Sequence, residues 1–165
     1  MNQKADAPLR HRDVKALAAF LVICLVVYGA NGLVTAVSVE GWYQALEKPP
    51  FNPPDWIFGP VWALLFLFMA VAGWRVWRSE PWPATRPALT AWAVQLALNL
   101  TWSGLFFGLQ AIGAALVEII ILLVAIIVTT GLMWRHDRVA GLLFLPYVAW
   151  VGFAAVLNAA LYTLN

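Results

Sequence analysis

Five long runs of apolar residues follow one another along the chain, and each is bounded by charged or turn-forming residues. They cover about residues 16–39, 56–77, 87–109, 111–134 and 139–164. The hydrocarbon core of a bilayer is about 30 Å thick, and roughly 20 helical residues cross it. Because a chain in lipid must satisfy its backbone internally, helices are the expected elements. The pattern predicts an all-α membrane protein, a bundle of five transmembrane helices.

The composition agrees with this prediction, and the positions of the charges orient the bundle. Hydrophobic residues make up 63% of the chain and charged residues only 11%, about half of what a soluble domain carries. Nine of the ten Lys and Arg residues lie in the N-terminal tail and in the second and fourth connections, and only Lys48 lies elsewhere. The positive-inside rule therefore predicts a cytoplasmic N-terminus and an outside C-terminus, with a bacterial inner membrane as the expected location.

The same reading divides the chain into two parts. Residues 1–15 form a basic cytoplasmic tail, and residues 16–165 form the five-helix domain, with an outside loop at about residues 40–55. Four prolines within residues 49–54 prevent that loop from being helical throughout. Its rings, which include Trp42, Tyr43 and Phe51, could fold down as a lid over the bundle; the alternative is a purely structural crossover.

Polar and aromatic residues recur at helical spacing within three of the runs. Three Trp residues lie well inside a span, where an indole N–H needs a partner or the ring lines a cavity. Two explanations remain open: amides that bond helices together across a dry core, or a ligand cavity with aromatic walls, which the number of rings favours. The stripes are Trp62, Phe66, Met69 and Gly73 in the second run; Gln95, Asn99, Trp102 and Phe106 in the third; and Tyr147, Trp150, Ala154 and Asn158 in the fifth.

The opposite side of the third run is lined by small residues. Small residues at four-residue spacing let two helix backbones approach closely, so this face predicts self-association, with packing inside one chain as the alternative. The expected homodimer interface comprises Ala93, Ala97, Thr101, Gly104 and Gly108.

The sequence carries little that indicates familiar catalytic machinery. It has no Cys/His cluster and no Gly-rich phosphate loop, so no metal site and no nucleotide cofactor is expected. Basic residues are not interleaved with exposed aromatics, which argues against nucleic-acid binding. Glu118 is the one acid well inside a span, either a functional group or a carboxyl that is hydrated near the interface or bonded to a neighbouring helix.

Several motifs in fixed order give the chain a family resemblance from about residue 16 to its end. Together they resemble the TspO/translocator protein family, which includes tryptophan-rich sensory proteins and the peripheral benzodiazepine receptor. The motifs are Trp42-Tyr43-x-x-Leu46-x-Lys48-Pro49-x-Phe51-x-Pro53-Pro54, then Trp62, then Gln95-Leu-x-Leu-Asn99-x-x-Trp102-x-x-x-Phe106-Phe107, then Pro146-Tyr147-x-x-Trp150 with Asn158.

The resemblance implies a usually dimeric five-helix bundle with a cavity beneath its first loop. It implies a receptor or sensor that binds porphyrins, such as protoporphyrin IX or haem, and benzodiazepine-type drugs, and that regulates tetrapyrrole metabolism or a stress response. The porphyrin or haem would be a ligand, and no cofactor is obligatory. The implied ligand-binding residues are Trp42, Tyr43, Pro53, Trp62, Phe66, Asn99, Trp102, Phe106, Trp150 and Ala154.

Two other activities remain open on the same resemblance. One is light-dependent porphyrin degradation, for which Trp62 and Trp150 would be the catalytic residues; the other is transport of tetrapyrroles or lipids. Phe51 stands where family members often carry Trp, which keeps a ring. The sterol-contact pattern needs a Tyr followed by Lys or Arg late in the fifth helix. Residues 159–165 contain no Lys or Arg, so sterol transport is not expected.

Overall fold

A computed structural model describes residues 11–165, and within that range every regular element is a helix. The prediction of an all-α protein is therefore confirmed. Of the predicted basic tail, residues 1–10 lie outside the described residues. Six α-helices follow in chain order: α1 His11–Val39, α2 Trp42–Ala45, α3 Phe58–Ser79, α4 Trp82–Ser103, α5 Ile112–His136 and α6 Arg138–Leu164.

Four elements of the described chain are long and apolar enough to cross a membrane. They are α1, α3 together with the preceding turn Asp55–Ile57, α5 and α6. Helix α4 has 22 residues, but Arg86, Gln95 and Asn99 lower its mean hydropathy, and it is not among the four. The prediction of five crossings is thus matched by five long helices, while the fifth crossing stays a prediction.

Helix α4 differs from the third predicted run at both ends. It begins at Trp82, where Pro83 occupies the first turn, a position that needs no backbone donor. It ends at Ser103 and continues as a wider π-helical turn over Gly104–Gly108, in which the Leu109 N–H donates to the Gly104 oxygen at 2.8 Å. The Ser38 hydroxyl donates to the Phe107 oxygen at 2.6 Å, so α1 satisfies a carbonyl of this turn.

Bulky side chains and one glycine hold the long helices together. Helix α5 packs most extensively against α6 and α4, and α1 packs mainly against α3. The Trp92 indole N–H of α4 donates to the Met69 oxygen of α3 at 2.9 Å. At Gly73 a Cβ would lie 2.9 Å from the Phe20 ring and 3.0 Å from the Trp92 indole, so only glycine allows these two rings to approach α3.

At the end of the bundle where α5 passes into α6, one carboxylate ties α3 to α6. Asp137 is buried and accepts from the Arg75 guanidinium at 2.9 and 3.2 Å. It also accepts from the Ala140 N–H at 2.9 Å and so caps the first turn of α6. The α5–α6 connection is therefore fixed by charge as well as by packing.

Replacing Asp137 should destabilise the bundle strongly. The Asp137→Ala variant leaves the Arg75 guanidinium without its partner and removes the α6 cap, an expected loss of about 3 kcal/mol. A thermal unfolding measurement in detergent should show a melting temperature several degrees below wild type. Glu40→Ala, which removes an exposed acid at the other end of the bundle, is the control and should melt like wild type. Equal melting of all three proteins would contradict this account of the connection.

Candidate ligand cavity

The opposite end of the bundle is hollow. A cavity of about 340 Å³ lies where the ends of α1 and α6 and the π-helical turn meet the start of α3, below the loop that carries α2. Its walls are contributed by Tyr28, Asn31, Gly32, Thr35, Ala36, Val39, Tyr43, Asp55, Phe58, Gly59, Trp62, Phe66, Asn99, Trp102, Ser103, Phe106, Phe107, Trp150, Ala154, Leu157, Asn158 and Leu161.

Aromatic rings form most of the wall, and they support one another. Trp102 stacks on Phe106 with ring centroids 5.3 Å apart and an interplanar angle of 21°. Phe58 meets Trp150 edge-on at 5.6 Å, and Trp62 meets Phe66 at 6.0 Å. Flat rings in such contacts present wide, rigid apolar surfaces at small entropic cost. All three tryptophans that lie well inside a span therefore border one hollow.

A chain of amides crosses the wall between the helices. The Asn31 Nδ2 of α1 donates to the Asn99 Oδ1 of α4 at 2.7 Å, and the Asn99 Nδ2 donates to the Tyr147 hydroxyl of α6 at 3.1 Å. On the other side of the cavity the Trp102 indole donates to the Asn158 Oδ1 at 3.2 Å, and the Asn158 Nδ2 donates to the Ile112 oxygen at 3.1 Å. The amides thus bond helices together and line a cavity at once, so the two explanations drawn from the sequence are not exclusive.

Two buried polar atoms of the wall have no hydrogen-bond partner within residues 11–165. One is the Trp150 Nε1, a donor, and the other is the Asn31 Oδ1, an acceptor. Buried polar groups are nearly always paired, and leaving one unpaired costs about 1–3 kcal/mol. Both atoms belong to residues that line the cavity, so one donor and one acceptor lie unpaired in its wall.

The loop over the cavity is held by side chains on several sides. The Tyr43 hydroxyl donates to the Asn52 Oδ1 at 3.2 Å, and the Gln44 Nε2 donates to the Asp55 Oδ2 at 2.6 Å. The Asn165 side chain pairs with the backbone of Glu47, accepting from its N–H at 3.0 Å and donating to its carbonyl at 3.1 Å. The loop is therefore an ordered cover, clamped to the end of α6.

Burial of Tyr43 beneath this cover changes its acidity. The loss of solvent raises the pKa of the Tyr43 phenol to about 12, and the nearby Asp55 carboxylate acts in the same direction. The phenol therefore stays neutral throughout the physiological range. Its neutral form is the one that donates to Asn52.

Eight of the ten residues predicted to bind a ligand line this cavity, and the other two do not. Trp42 lies behind the wall, with its ring 5.5 Å from that of Phe106, and Pro53 belongs to the loop without lining the hollow. The eight lining residues are Tyr43, Trp62, Phe66, Asn99, Trp102, Phe106, Trp150 and Ala154. Whether they bind a ligand stays a prediction.

The sequence reasoning overlooked the wall that α1 supplies. Tyr28, Asn31 and Thr35 all line the cavity, and their spacing of three and four residues places them on one helix face. Asn31 is the only amide in the first apolar run, which is a usable signal. Thr35 and Ser38 continue this spacing, so the run carries a short polar stripe, but hydroxyl groups are a weaker signal than amides or tryptophans.

The strip of small residues on α4 and the following turn lies on the outside of the bundle. Ala93, Ala97, Thr101 and Gly108 are exposed, and Gly104 is half-buried with nothing within 4 Å of where a Cβ would stand. The Thr101 hydroxyl donates to the Ala97 oxygen of its own helix at 3.0 Å. Packing within the chain therefore leaves most of this face free.

Fold and site together define a helical, multi-pass membrane protein with an aromatic cavity at one end of its bundle. The TspO/MBR family model matches residues 20–163, and the chain belongs to that family. The predicted resemblance is thus confirmed, and with it the integral membrane location of a multi-pass protein.

Relatives from three groups of organisms show the same membership. The chain is 42% identical over 153 residues to the tryptophan-rich protein TspO of Archaeoglobus fulgidus. This alignment covers 93% of this chain and 99% of the relative. It is 36% identical over 154 residues to the tryptophan-rich sensory protein of Cereibacter sphaeroides, 93% of each chain. With the human translocator protein it shares 36% identity over 127 residues, 75% of each chain.

The acidity of Tyr43 gives a test of the cover. Because the folded pKa of about 12 is higher than the ordinary value of 10, the neutral phenol stabilises the folded loop below pH 10, and this contribution disappears as the pH rises to about 12. The difference in ultraviolet absorbance between wild type and Tyr43→Phe should titrate near pH 12. Tyr162→Phe, which removes an exposed phenol, is the comparison. A Tyr43 midpoint near pH 10 would show that the loop is open to water.

Proposed function

We propose that the chain is a membrane receptor or sensor that binds flat tetrapyrroles, such as protoporphyrin IX or haem, in the aromatic cavity and thereby regulates tetrapyrrole metabolism or a stress response. The observation that carries the proposal is the convergence of Trp62, Trp102 and Trp150 on one covered hollow. The same walls suit benzodiazepine-type ligands, which are also ring systems. The porphyrin acts as a ligand, and binding requires no further cofactor.

The dimensions and chemistry of the cavity support a ligand of this kind. Its volume of about 340 Å³ falls in the range of small-molecule pockets, roughly 300–1,000 Å³. Gly32 and Gly59 border the hollow, and a Cβ at either would meet nothing within 4 Å, so the wall leaves room between α1 and α3. Burying apolar ring surface contributes about 25 cal/mol per Å². Burial of a large planar ligand therefore contributes several kcal/mol of binding free energy, and the loss of ligand and side-chain freedom offsets a part of it.

The arrangement in the membrane forms part of the proposal. Helix α4 is the fifth crossing, since it lies between α3 and α5 and turns its polar residues Gln95 and Asn99 into the bundle. The Arg75–Asp137 end faces the cytoplasm together with the N-terminus, and the covered cavity opens towards the outside of a bacterial inner membrane.

We extend the proposal to a homodimer formed through α4. The strip of Ala93, Ala97, Thr101, Gly104 and Gly108 is flat and largely unused by the chain itself. In lipid such faces associate because backbones can approach closely, and no hydrophobic driving force is needed.

Porphyrin binding should depend on the indoles inside the cavity and not on those outside. Trp150→Ala removes a wall, so the protoporphyrin IX affinity, read from the porphyrin absorbance in a titration of purified protein, should fall about tenfold or more. Trp82→Ala removes an indole that is 58% exposed and outside the cavity, and its affinity should equal that of wild type. Equal loss in both variants, or in neither, would indicate surface adsorption and remove the proposal.

Light-dependent degradation of the bound porphyrin is a second candidate function, and one observation favours it. Trp62 and Trp150 line the same cavity, so both indoles lie next to a ring bound there and are candidate electron donors to it.

The degradation candidate requires that illuminated protein consume protoporphyrin IX faster than free pigment is lost. The Trp62→Phe and Trp150→Phe variants keep a ring in the wall but raise the cost of electron donation, so each should remove most of that excess rate while binding persists. The loss of porphyrin absorbance under constant light is the measurement, with Trp82→Phe as the control. Undiminished consumption in both cavity variants would exclude this activity.

A further inference from the structure

Of the amides that line the cavity, Asn31 is the one with a polar atom that makes no hydrogen bond within the described residues. Asn99 uses its oxygen for Asn31 and its nitrogen for Tyr147, and Asn158 uses its oxygen for Trp102 and its nitrogen for the Ile112 carbonyl. Asn31 donates to Asn99, while its Oδ1 is buried and has no partner among residues 11–165. The chain from Tyr147 through Asn99 therefore ends on Asn31, at the cavity wall.

This chain of hydrogen bonds can run in either direction. An amide oxygen and an amide nitrogen have nearly the same size, and a turn of the side-chain amide by half a revolution exchanges them. If Asn99 and Asn31 both turn, the Tyr147 hydroxyl donates to the Asn99 oxygen and the Asn99 nitrogen donates to the Asn31 oxygen. Asn31 then presents an N–H to the cavity in place of an oxygen. Both directions keep two bonds, because the Tyr147 hydroxyl can accept or donate.

We propose that Asn31 is the specificity-determining residue of the cavity, and that the reversible Asn31–Asn99–Tyr147 chain lets it pair with either a donor or an acceptor on the edge of a flat ligand. The inference rests on the proposed function, since it concerns the ligand of the same cavity. It names the ligand class more narrowly: a planar ring system with at least one neutral hydrogen-bonding atom at its edge.

Trp150 offers a fixed contrast within the same wall. Its indole nitrogen is a donor only, so it pairs with an acceptor and can never pair with an N–H. Of these two unpaired groups, only the Asn31 oxygen can accept a hydrogen bond from a ligand whose polar atom is a donor. A donor ligand therefore tests Asn31 alone. An acceptor ligand tests the reversal only in the Trp150→Phe background, where the indole donor is removed.

Two pairs of tricyclic probes separate these roles. Carbazole carries one N–H, and fluorene is its counterpart without a hydrogen-bonding atom. Acridine carries one ring nitrogen that accepts, and anthracene is its counterpart without it. Displacement of bound protoporphyrin IX at pH 8 measures all four. Wild type should prefer carbazole over fluorene and acridine over anthracene, each by about three- to tenfold, the usual value of one neutral hydrogen bond.

The decisive variant is Asn31→Leu, which keeps the bulk of the side chain and removes its amide. It should abolish the carbazole preference, and in the Trp150→Phe background it should also abolish the acridine preference, while fluorene and anthracene bind as before. Gln95→Leu is the matched control, because it removes another buried amide one helical turn before Asn99, outside the cavity; it should leave both preferences intact. A carbazole preference that survives in Asn31→Leu overturns the proposal. An acridine preference that is already lost in Trp150→Phe, with Asn31 present, overturns the reversal, since Trp150 then supplies the only donor.

Failure of this inference can be told from failure of the proposed function. If wild type binds protoporphyrin IX and Trp150→Ala weakens that binding, the cavity is the porphyrin site whatever Asn31→Leu does. If Asn31→Leu also melts at the wild-type temperature in the absence of ligand, a changed preference reflects lost recognition and not a damaged fold. Unchanged preferences in a variant that melts like wild type overturn the role of Asn31 alone.

Discussion

Polar side chains inside a membrane bundle must find their partners within the protein, and the arrangement of this molecule follows from that constraint. Lipid offers no hydrogen bonds, so an amide that faced it would lose several kcal/mol. The amides of Asn31 on α1 and Asn99 on α4 therefore turn inward and pair with each other, and Asn99 pairs with the phenol of Tyr147 on α6. These bonds set where three helices meet, and the space that the side chains leave between them is the cavity.

One end of the bundle carries the contacts that stabilise the fold, and the other end carries the cavity. At one end Arg75 and Asp137 close the α3–α6 contact with charge-assisted bonds, next to a densely packed core. At the other end rings stack around a hollow, and the cover depends on a few neutral hydrogen bonds such as that of Tyr43 with Asn52. Because the firm contacts lie far from the hollow, the chain can keep space inside without giving up a stable fold.

The sequence predicts best those site residues that recur at helical spacing and that would cost free energy if they faced lipid. Trp102 and Asn99 on α4, and Trp150 on α6, are expensive in lipid, so their spacing alone indicates an inward face, and all three line the cavity. Pro53 does not line the cavity, because a proline restricts the backbone of the loop without determining which of its side chains face the bundle. The sequence did not predict the π-helical turn over Gly104–Gly108, because hydropathy does not depend on which carbonyl each backbone N–H bonds.

The sequence did not predict Asn31 as a cavity residue, because it lies on a helix with a weak polar pattern. Helix α1 carries one amide, and the other polar residues of its stripe carry hydroxyls, so the stripe is a weak signal. Besides its packing against α3, the half of α1 next to the cavity is held by three hydrogen bonds: the Tyr28 hydroxyl to the Gly59 oxygen at 3.4 Å, Asn31 to Asn99 at 2.7 Å, and Ser38 to Phe107 at 2.6 Å. A ligand that paired with the spare atom of Asn31 would leave all three intact. Binding then adds a bond to the wall without requiring one to break, and it strengthens the attachment of α1 beside the cavity.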